Sequence, residues 1–303
     1  MRSSTPIIVL SLGILIASTA AILFKVAESA GAPALVIAAG RLALASLLLT
    51  PLAWARAGGE IRAVTRRDLG LMVLSGALLA VHFAAWFGSL VYTSVASSTA
   101  LVATIPIWVA AASVLIFRER LPRSVLAGIS IAVVGSIIVG ISDGGDAATG
   151  SNPLLGDGLA LVGAAAAAGY YLCGRSVRRR VNLLPYIWLT YSTAALVLLV
   201  WALGSGATFG GYGAAAYWAM LGLALGPQLL GHTAFNWSLR YLSATFVAVA
   251  ALGEPIGSTI LAFFILAQVP QPLQIVGGLV LLAGIYVATT GERGTVAVGE
   301  QTG

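Results

Sequence analysis

Apolar residues in this chain fall into long runs bounded by Gly, Pro or charged clusters, at about 6–26, 33–54, 69–92, 94–117, 123–141, 154–174, 185–204, 214–237, 242–266 and 272–290. Each run is close to the ~20 residues that carry an α-helix across a hydrocarbon core of about 30 Å. The pattern therefore predicts an all-α membrane protein with ten transmembrane helices. Ten spans use roughly 200 residues, so a chain of 303 leaves no separate soluble domain. The first run, with Arg2 before it and Ala30-Gly31-Ala32 after it, imitates a secretory signal. At about 18 apolar residues it is too long for a signal core, and its removal would leave an odd number of helices, so it is read as the first span.

The pattern also repeats. A shift of 149 carries Ser89-Leu90-Val91-Tyr92-Thr93-Ser94 onto Ser238-Leu239-Arg240-Tyr241-Leu242-Ser243, Pro106 onto Pro255, Gly128 onto Gly277 and Gly135 onto Gly284. A shift of 150 carries Gly13 onto Gly163, Lys25 onto Arg175, Gly76 onto Gly226 and His82 onto His232. The chain thus divides into five-helix halves, residues 1–145 and 146–303. Five is odd, so the second half enters the membrane from the opposite side, which predicts two inverted repeats about a pseudo-two-fold axis in the membrane plane. The charges fit this inversion. The basic turn Arg118-Glu119-Arg120-Leu121-Pro122-Arg123 corresponds to the uncharged Ala267-Gln268-Val269-Pro270-Gln271-Pro272, and Val91 in an outer turn becomes Arg240 in an inner one.

Composition agrees with the runs. With 59% hydrophobic and 9% charged residues and a mean hydropathy of +0.99, the chain is unlike a soluble domain, whose charged fraction is about 25%. A net charge of +6 first suggests nucleic acid or acidic lipid. Yet 14 of the 16 Lys and Arg fall in loops on one side of the predicted bilayer, leaving Lys25 and Arg41, while the outer loops carry acids such as Asp143 and Asp146. That bias places both termini in the cytoplasm, makes the lipid bilayer the surroundings of the chain, and removes nucleic acid as a partner. The single cysteine, Cys173, excludes an internal disulfide and a cysteine-built metal site.

The turn Phe117-Arg118-Glu119-Arg120-Leu121 followed by Gly128 and Gly135, the run Tyr241-Leu242-Ser243-Ala244-Thr245 leading to Leu252-Gly253-Glu254-Pro255, and Pro33 followed by Arg41 carry a resemblance over essentially the whole length. Taken together they resemble the ten-helix EamA type of the drug/metabolite transporter superfamily. The resemblance implies two bundles around a central cavity, with helices three, four, eight and nine in its lining. It also implies export of amino acids or other small metabolites across a cytoplasmic (inner) membrane. Gln268, where the first half has Glu119, departs from the pattern. The fold does not fix the substrate.

Position nominates the residues that work on the substrate. Inverted-repeat carriers hold their cargo near the bilayer midplane, on helices interrupted by Gly or Pro. Pro106 and Pro255 lie about 12 residues into their runs, about 18 Å at 1.5 Å per residue, and each would free a carbonyl one turn earlier. Both are candidate hinges, or else packing kinks. Glu254 is a carboxylate at midspan, a functional-site signal by default; it either meets substrate or pairs with Arg41. Arg41, about eight residues into the second run, either makes that pair, snorkels, or captures a substrate carboxylate. His82 with Trp86, and His232 with Asn236, form two polar stripes at matching places in the repeat. Each histidine is either a site residue or a neutral core histidine. Trp108 at midplane depth is a further cavity candidate. Tyr170, Tyr171 and Tyr191 either line the second half or pack.

No metal is expected, because no third and fourth ligand stands at metal spacing, and no cofactor is implied. An enzyme would need a nucleophile with its base, which is absent, and a channel would show rings or filter-like repeats. The chain is therefore expected to be a secondary transporter of a small molecule working by alternating access. Proton coupling through Glu254 and the histidines is a further expectation. The alternatives are efflux of drugs or cationic compounds and, in another class, a membrane channel. Oligomeric state, monomer or homo-oligomer, is left open.

Overall fold

Residues 4–92, 98, 101–116, 118, 120–142, 152–266 and 272–299 are described by the computed structural model. Arg2, Thr93, Ser94, Phe117, Glu119, Asp143, Asp146 and residues 267–271, Gln268 among them, named above, lie outside them. The regular elements are all helical: α1 Thr5–Ala17, α2 Ala20–Ser29, α3 Ala34–Ala63, α4 Arg66–Tyr92, α5 Ile105–Leu115, α6 Arg123–Ser142, α7 Pro153–Arg178, α8 Leu183–Gly204 and α9 Ala214–Leu223. A π-helical segment, Ala224–His232, runs on into α10 Thr233–Ser238, followed by α11 Ala244–Ala251, α12 Gly253–Leu266 and α13 Pro272–Gly299.

Among the described residues, five stretches are long and apolar enough to cross a membrane: Thr5–Ser29, Ala34–Ala63, Arg66–Tyr92, Leu154–Arg178 and Leu183–Gly204. Four shorter apolar helices accompany them, Ile105–Leu115, Arg123–Gly135, Ala244–Ser258 and Ile275–Ala288. Leu15, Leu47, Leu196, Val200 and Phe264 are among many large apolar side chains left on the outside. Such a surface suits hydrocarbon and is unsuited to water.

Three of the predicted runs are broken. The first divides between α1 and α2, where Ser18 Oγ donates to the Ile14 carbonyl at 2.8 Å and Thr19 Oγ1 to that of Ile16 at 2.7 Å. Hydroxyls that bond their own helix in this way compete with the N–H ladder. The Ser18 carbonyl receives Ser258 Oγ at 2.8 Å, so a backbone acceptor that hydrocarbon could not satisfy is satisfied by side chain.

The other two breaks correct the reading of the prolines. Each was expected in mid-helix; instead Pro106 is the second residue of α5 and Pro255 the third of α12. In a first helical turn the N–H has no helical partner, so proline there loses nothing. Short turns precede both, with Thr104 N–H bonded to the Leu101 carbonyl and Leu252 N–H to that of Val249, each at 3.1 Å.

The helices pack through small residues. α6 crosses α13 so closely that a Cβ on Gly135 would fall 2.7 Å from the Leu281 Cα and 2.8 Å from the Gly277 carbonyl oxygen. A Cβ on Gly284 would fall 2.7 Å from the Ala132 Cα and 2.7 Å from the Gly128 oxygen. Adding 149 turns the first set of contacts into the second, with partners exchanged. A self-complementary contact of that kind is what a two-fold relation between two helices produces. α4 lies against α7, α3 against α8, and α1 against the π segment and α10.

One end of the bundle is held by charge. Asp68, in the first turn of α4, accepts from Arg180 Nη2 at 2.6 Å and Nε at 3.1 Å, and from Thr65 Oγ1 at 3.0 Å. Its carboxylate raises the affinity of the Arg180 guanidinium for its proton. Asn182 in the α7–α8 turn donates to Glu60 at the end of α3 and accepts from Arg240. At the other end, a plain backbone bond, Gly213 N–H to the Ala30 carbonyl at 3.1 Å, joins the corresponding elements.

Candidate functional site

The side chain of Arg41, two turns into α3 and 1% exposed, is with that of Arg178 the largest among the fully buried side chains of the described residues. α3 lies against the π segment, and Arg41 Nε donates to Gln228 Oε1 across that contact at 2.9 Å. The guanidinium carbon stands 4.2 Å from the centre of the Phe83 ring of α4. A cation over an aromatic face is stabilised by the ring quadrupole. Nη1 and Nη2 have no hydrogen-bond partner, and neither has Gln228 Nε2. Among the described residues Arg41 forms no ion pair with Glu254, and the hydrogen bond of its guanidinium goes to Gln228. The pairing weighed from the sequence is not the one this structure makes.

His232 closes the same cluster. Its ring meets Phe83 edge-on at 5.3 Å, Phe235 at 5.5 Å and Tyr170 at 6.2 Å, and its Nδ1 has no partner. Tyr191 of α8 accepts from Asn236 Nδ2 at 3.1 Å and pairs with Thr233 Oγ1 at 3.2 Å. The Tyr170 hydroxyl and Asn236 Oδ1 are buried without partners. Arg178, also buried, caps the α10 end by donating Nε to the Asn236 carbonyl at 3.1 Å.

His82 behaves differently. Its Nδ1 is bonded to the Gly163 carbonyl at 2.9 Å and its ring stacks on Trp86 at 5.8 Å. Gly163 packs against the His82 carbonyl, 3.4 Å from an added Cβ, whereas its repeat mate Gly13 packs against the Gly231 carbonyl at 3.3 Å. Gly231 therefore stands where His82 does, and His232 is one residue further on, about 100° round the helix. The two histidines are not at matching places. The π segment, whose i→i+5 bonding takes up an extra residue per turn, lies where the registers part.

The structure thus gathers Arg41, His232 and Asn236 with His82 and Trp86 along the line of Phe83, at successive ring contacts of 4.9, 5.8 and 5.3 Å. Glu254 is half-buried in α12 and makes no ion pair with this group among the described residues. Trp108 stands apart at 40% exposure, its Nε1 donating to Thr104 Oγ1 at 3.2 Å, with no ring contact to the cluster among the described residues. Gln228 and Phe83 were missed from the sequence. Pro227-Gln228 inside an apolar run carries the same signal as Glu254-Pro255, a polar side chain beside a helix breaker, and could have been found by it. A groove of about 370 Å³ between α1, α11, α12 and α13 is lined by apolar side chains such as Leu10, Ile14, Phe246 and Ile260 and offers little to orient a polar ligand.

Comparison with known proteins agrees with this architecture. A transporter of uncharacterised activity from Archaeoglobus fulgidus is 27% identical over 258 residues, covering 84% of this chain and 86% of its own. A probable terminal-alkyne amino-acid exporter of Streptantibioticus cattleyicolor is 25% identical over 263 residues, covering 83% and 85%. The pseudopaline exporter CntI of Pseudomonas aeruginosa is 24% identical over 291 residues, covering 93% and 97%. One crystal structure superposes with a TM-score of 0.80 at 18% identity, over 96% of this chain and 98% of that one, a likeness of fold. The EamA-like transporter family matches twice, over residues 4–141 and 154–290, which takes in both halves of the bundle and every residue of the buried cluster; the chain belongs to that family of membrane transporters.

Proposed function

We propose that this protein is a multi-pass secondary carrier of the cytoplasmic membrane that exports amino acids or related small metabolites by alternating access. It has ten spans in two inverted five-helix units, residues 1–145 and 146–303, with both termini in the cytoplasm. Cargo is held among Arg41, His82, Trp86, His232, Asn236 and Glu254, and Trp108 has no part in it. Pro106 and Pro255 mark the breaks at which the lining helices bend, and Glu254 takes up and releases a proton during the cycle. The protein performs no chemical reaction on its cargo.

The observation that carries this reading is the buried polar cluster. The Arg41 Nη1 and Nη2, Gln228 Nε2 and His232 Nδ1 atoms, buried without partners in an apolar bundle, cost several kcal/mol. Packing gives no return for that cost, and a ligand that bonds to these groups does. The relatives named as exporters of an amino acid and of pseudopaline support the direction and kind of cargo. The test is counterflow of radiolabelled amino acids in proteoliposomes holding the purified protein. Exchange that saturates with cargo concentration is expected. A conductance that rises without saturating would overturn the carrier in favour of a channel.

A further inference from the structure

Resting on the carrier reading above, we infer that Arg41, Gln228 and Tyr170 form a carboxylate subsite, so that the cargo must be an organic acid or amino acid and a simple amine is excluded. The inference begins with an inventory of donors. A guanidinium has five N–H groups in a fixed fork. Here Nε is spent on Gln228 Oε1, which orients the plane, and the Phe83 ring holds one face. The four hydrogens on Nη1 and Nη2 remain, and so do the two on Gln228 Nε2. The assignment of the Gln228 amide is forced, because its oxygen must face the arginine, which only donates. Its NH₂ is therefore free for another acceptor.

Tyr170 adds a hydroxyl with no partner, 6.2 Å by ring centres from His232, whose own ring touches Phe83. Arg41, Gln228 and Tyr170 are each at least 99% buried. They come from three different elements, α3, the π segment and α7, so no single helix imposes their meeting. The set is rich in donors and carries one positive charge. A carboxylate is its complement: planar, singly charged, with two oxygens that accept the parallel N–H pair of an arginine. A phosphate would call for more positive charge than one arginine supplies. The rings of Phe83, Trp86, Phe87 and Tyr170 around the subsite favour an apolar remainder on the cargo.

Two matched series, each with and without the acid, test the subsite: leucine with isopentylamine and isocaproate, and phenylalanine with phenethylamine and 3-phenylpropionate. Counterflow is measured in proteoliposomes with the wild-type chain, Arg41→Gln, Gln228→Leu and Tyr170→Phe, each checked by size-exclusion profile. The acids and amino acids are expected to exchange with half-saturation at least about ten-fold below that of their amines. Arg41→Gln should erase that preference, and Gln228→Leu should weaken acids about three-fold without affecting amines. Amines exchanging as well as acids, or an acid preference untouched in Gln228→Leu and Tyr170→Phe, would overturn the subsite while leaving the carrier intact. Saturable exchange of neither series would overturn the carrier reading and the subsite with it.

Discussion

Replacing Gly135 by alanine should destabilise the protein, although the same change at most helical glycines does the reverse. A Cβ there would stand 2.7 Å from the Leu281 Cα, where ordinary contact begins near 3.4 Å. The obstacle is backbone, which cannot swing aside, and the Leu281 nitrogen is nearer still, so α6 and α13 must part by roughly 1 Å along a crossing packed at native density. Overpacking of this kind costs about 1–3 kcal/mol. Against it stands the helix-forming advantage of alanine over glycine, about 0.5–1 kcal/mol. The balance is a loss of about 1–2 kcal/mol. Gly284→Ala should lose the same amount, because its contacts with Ala132 and Gly128 mirror those of Gly135. Gly278, six residues before Gly284 on α13 with open space where its Cβ would go, should gain about 0.5–1 kcal/mol as alanine. The assay is thermal unfolding in detergent followed by circular dichroism, at about 2–4 °C per kcal/mol for a chain of this class. The reasoning is refuted if all three variants shift in one direction, or if Gly135→Ala and Gly284→Ala differ by more than about 1 kcal/mol.

Other outcomes follow from the same contacts. Asp68→Asn removes an ion pair between an acid 8% exposed and an arginine 44% exposed; allowing for water at Arg180, the loss should be about 1 kcal/mol, with a double-mutant cycle against Arg180→Gln isolating the pair. His82→Ala should lower the unfolding temperature by the equivalent of about 1 kcal/mol through its bond to Gly163, whereas His232→Ala breaks no bond at Nδ1 and should reduce exchange more than stability. Glu254→Gln should flatten the dependence of exchange on pH; an unchanged rate with an unchanged profile ends the idea of proton coupling through this residue. Pro255→Ala should leave stability within about 0.5 kcal/mol, since a first-turn N–H gains no helical partner, yet slow exchange measured at saturating cargo.

The broad plan could be read from the chain because the bilayer allows so few solutions. Apolar runs of membrane length must be helices, and glycines repeated at 128, 135, 277 and 284 marked the helix crossing that the structure builds. Arg41 and His232 stood out as polar groups in apolar runs for the same reason. What could not be read was anything that depends on a change of phase. The breaks at Ser18 and before both prolines arise from hydroxyl-to-carbonyl bonds and tertiary partners such as Ser258, which no periodicity announces. The π segment shifted His232 by one residue, so an alignment that looked like a matched pair of histidines joined positions that face differently. Trp108 was nominated on depth alone, and depth does not say which side of a helix faces the interior.

The extra residue taken up in the π turn bears on which way round a cargo is held. A pocket with true two-fold symmetry presents itself identically to a molecule and to the same molecule turned end over end, so two orientations share one energy. Here the guanidinium of Arg41 is set against Tyr191 at the corresponding position of the second half, and the imidazole of His232 against the glycine-bound His82 of the first. The degeneracy is lifted, and one pose is left with the lowest energy. On the carrier reading, a bundle assembled from two copies of one design acquires in this way a head and a tail for its ligand, and a cargo with unlike ends is held one way round.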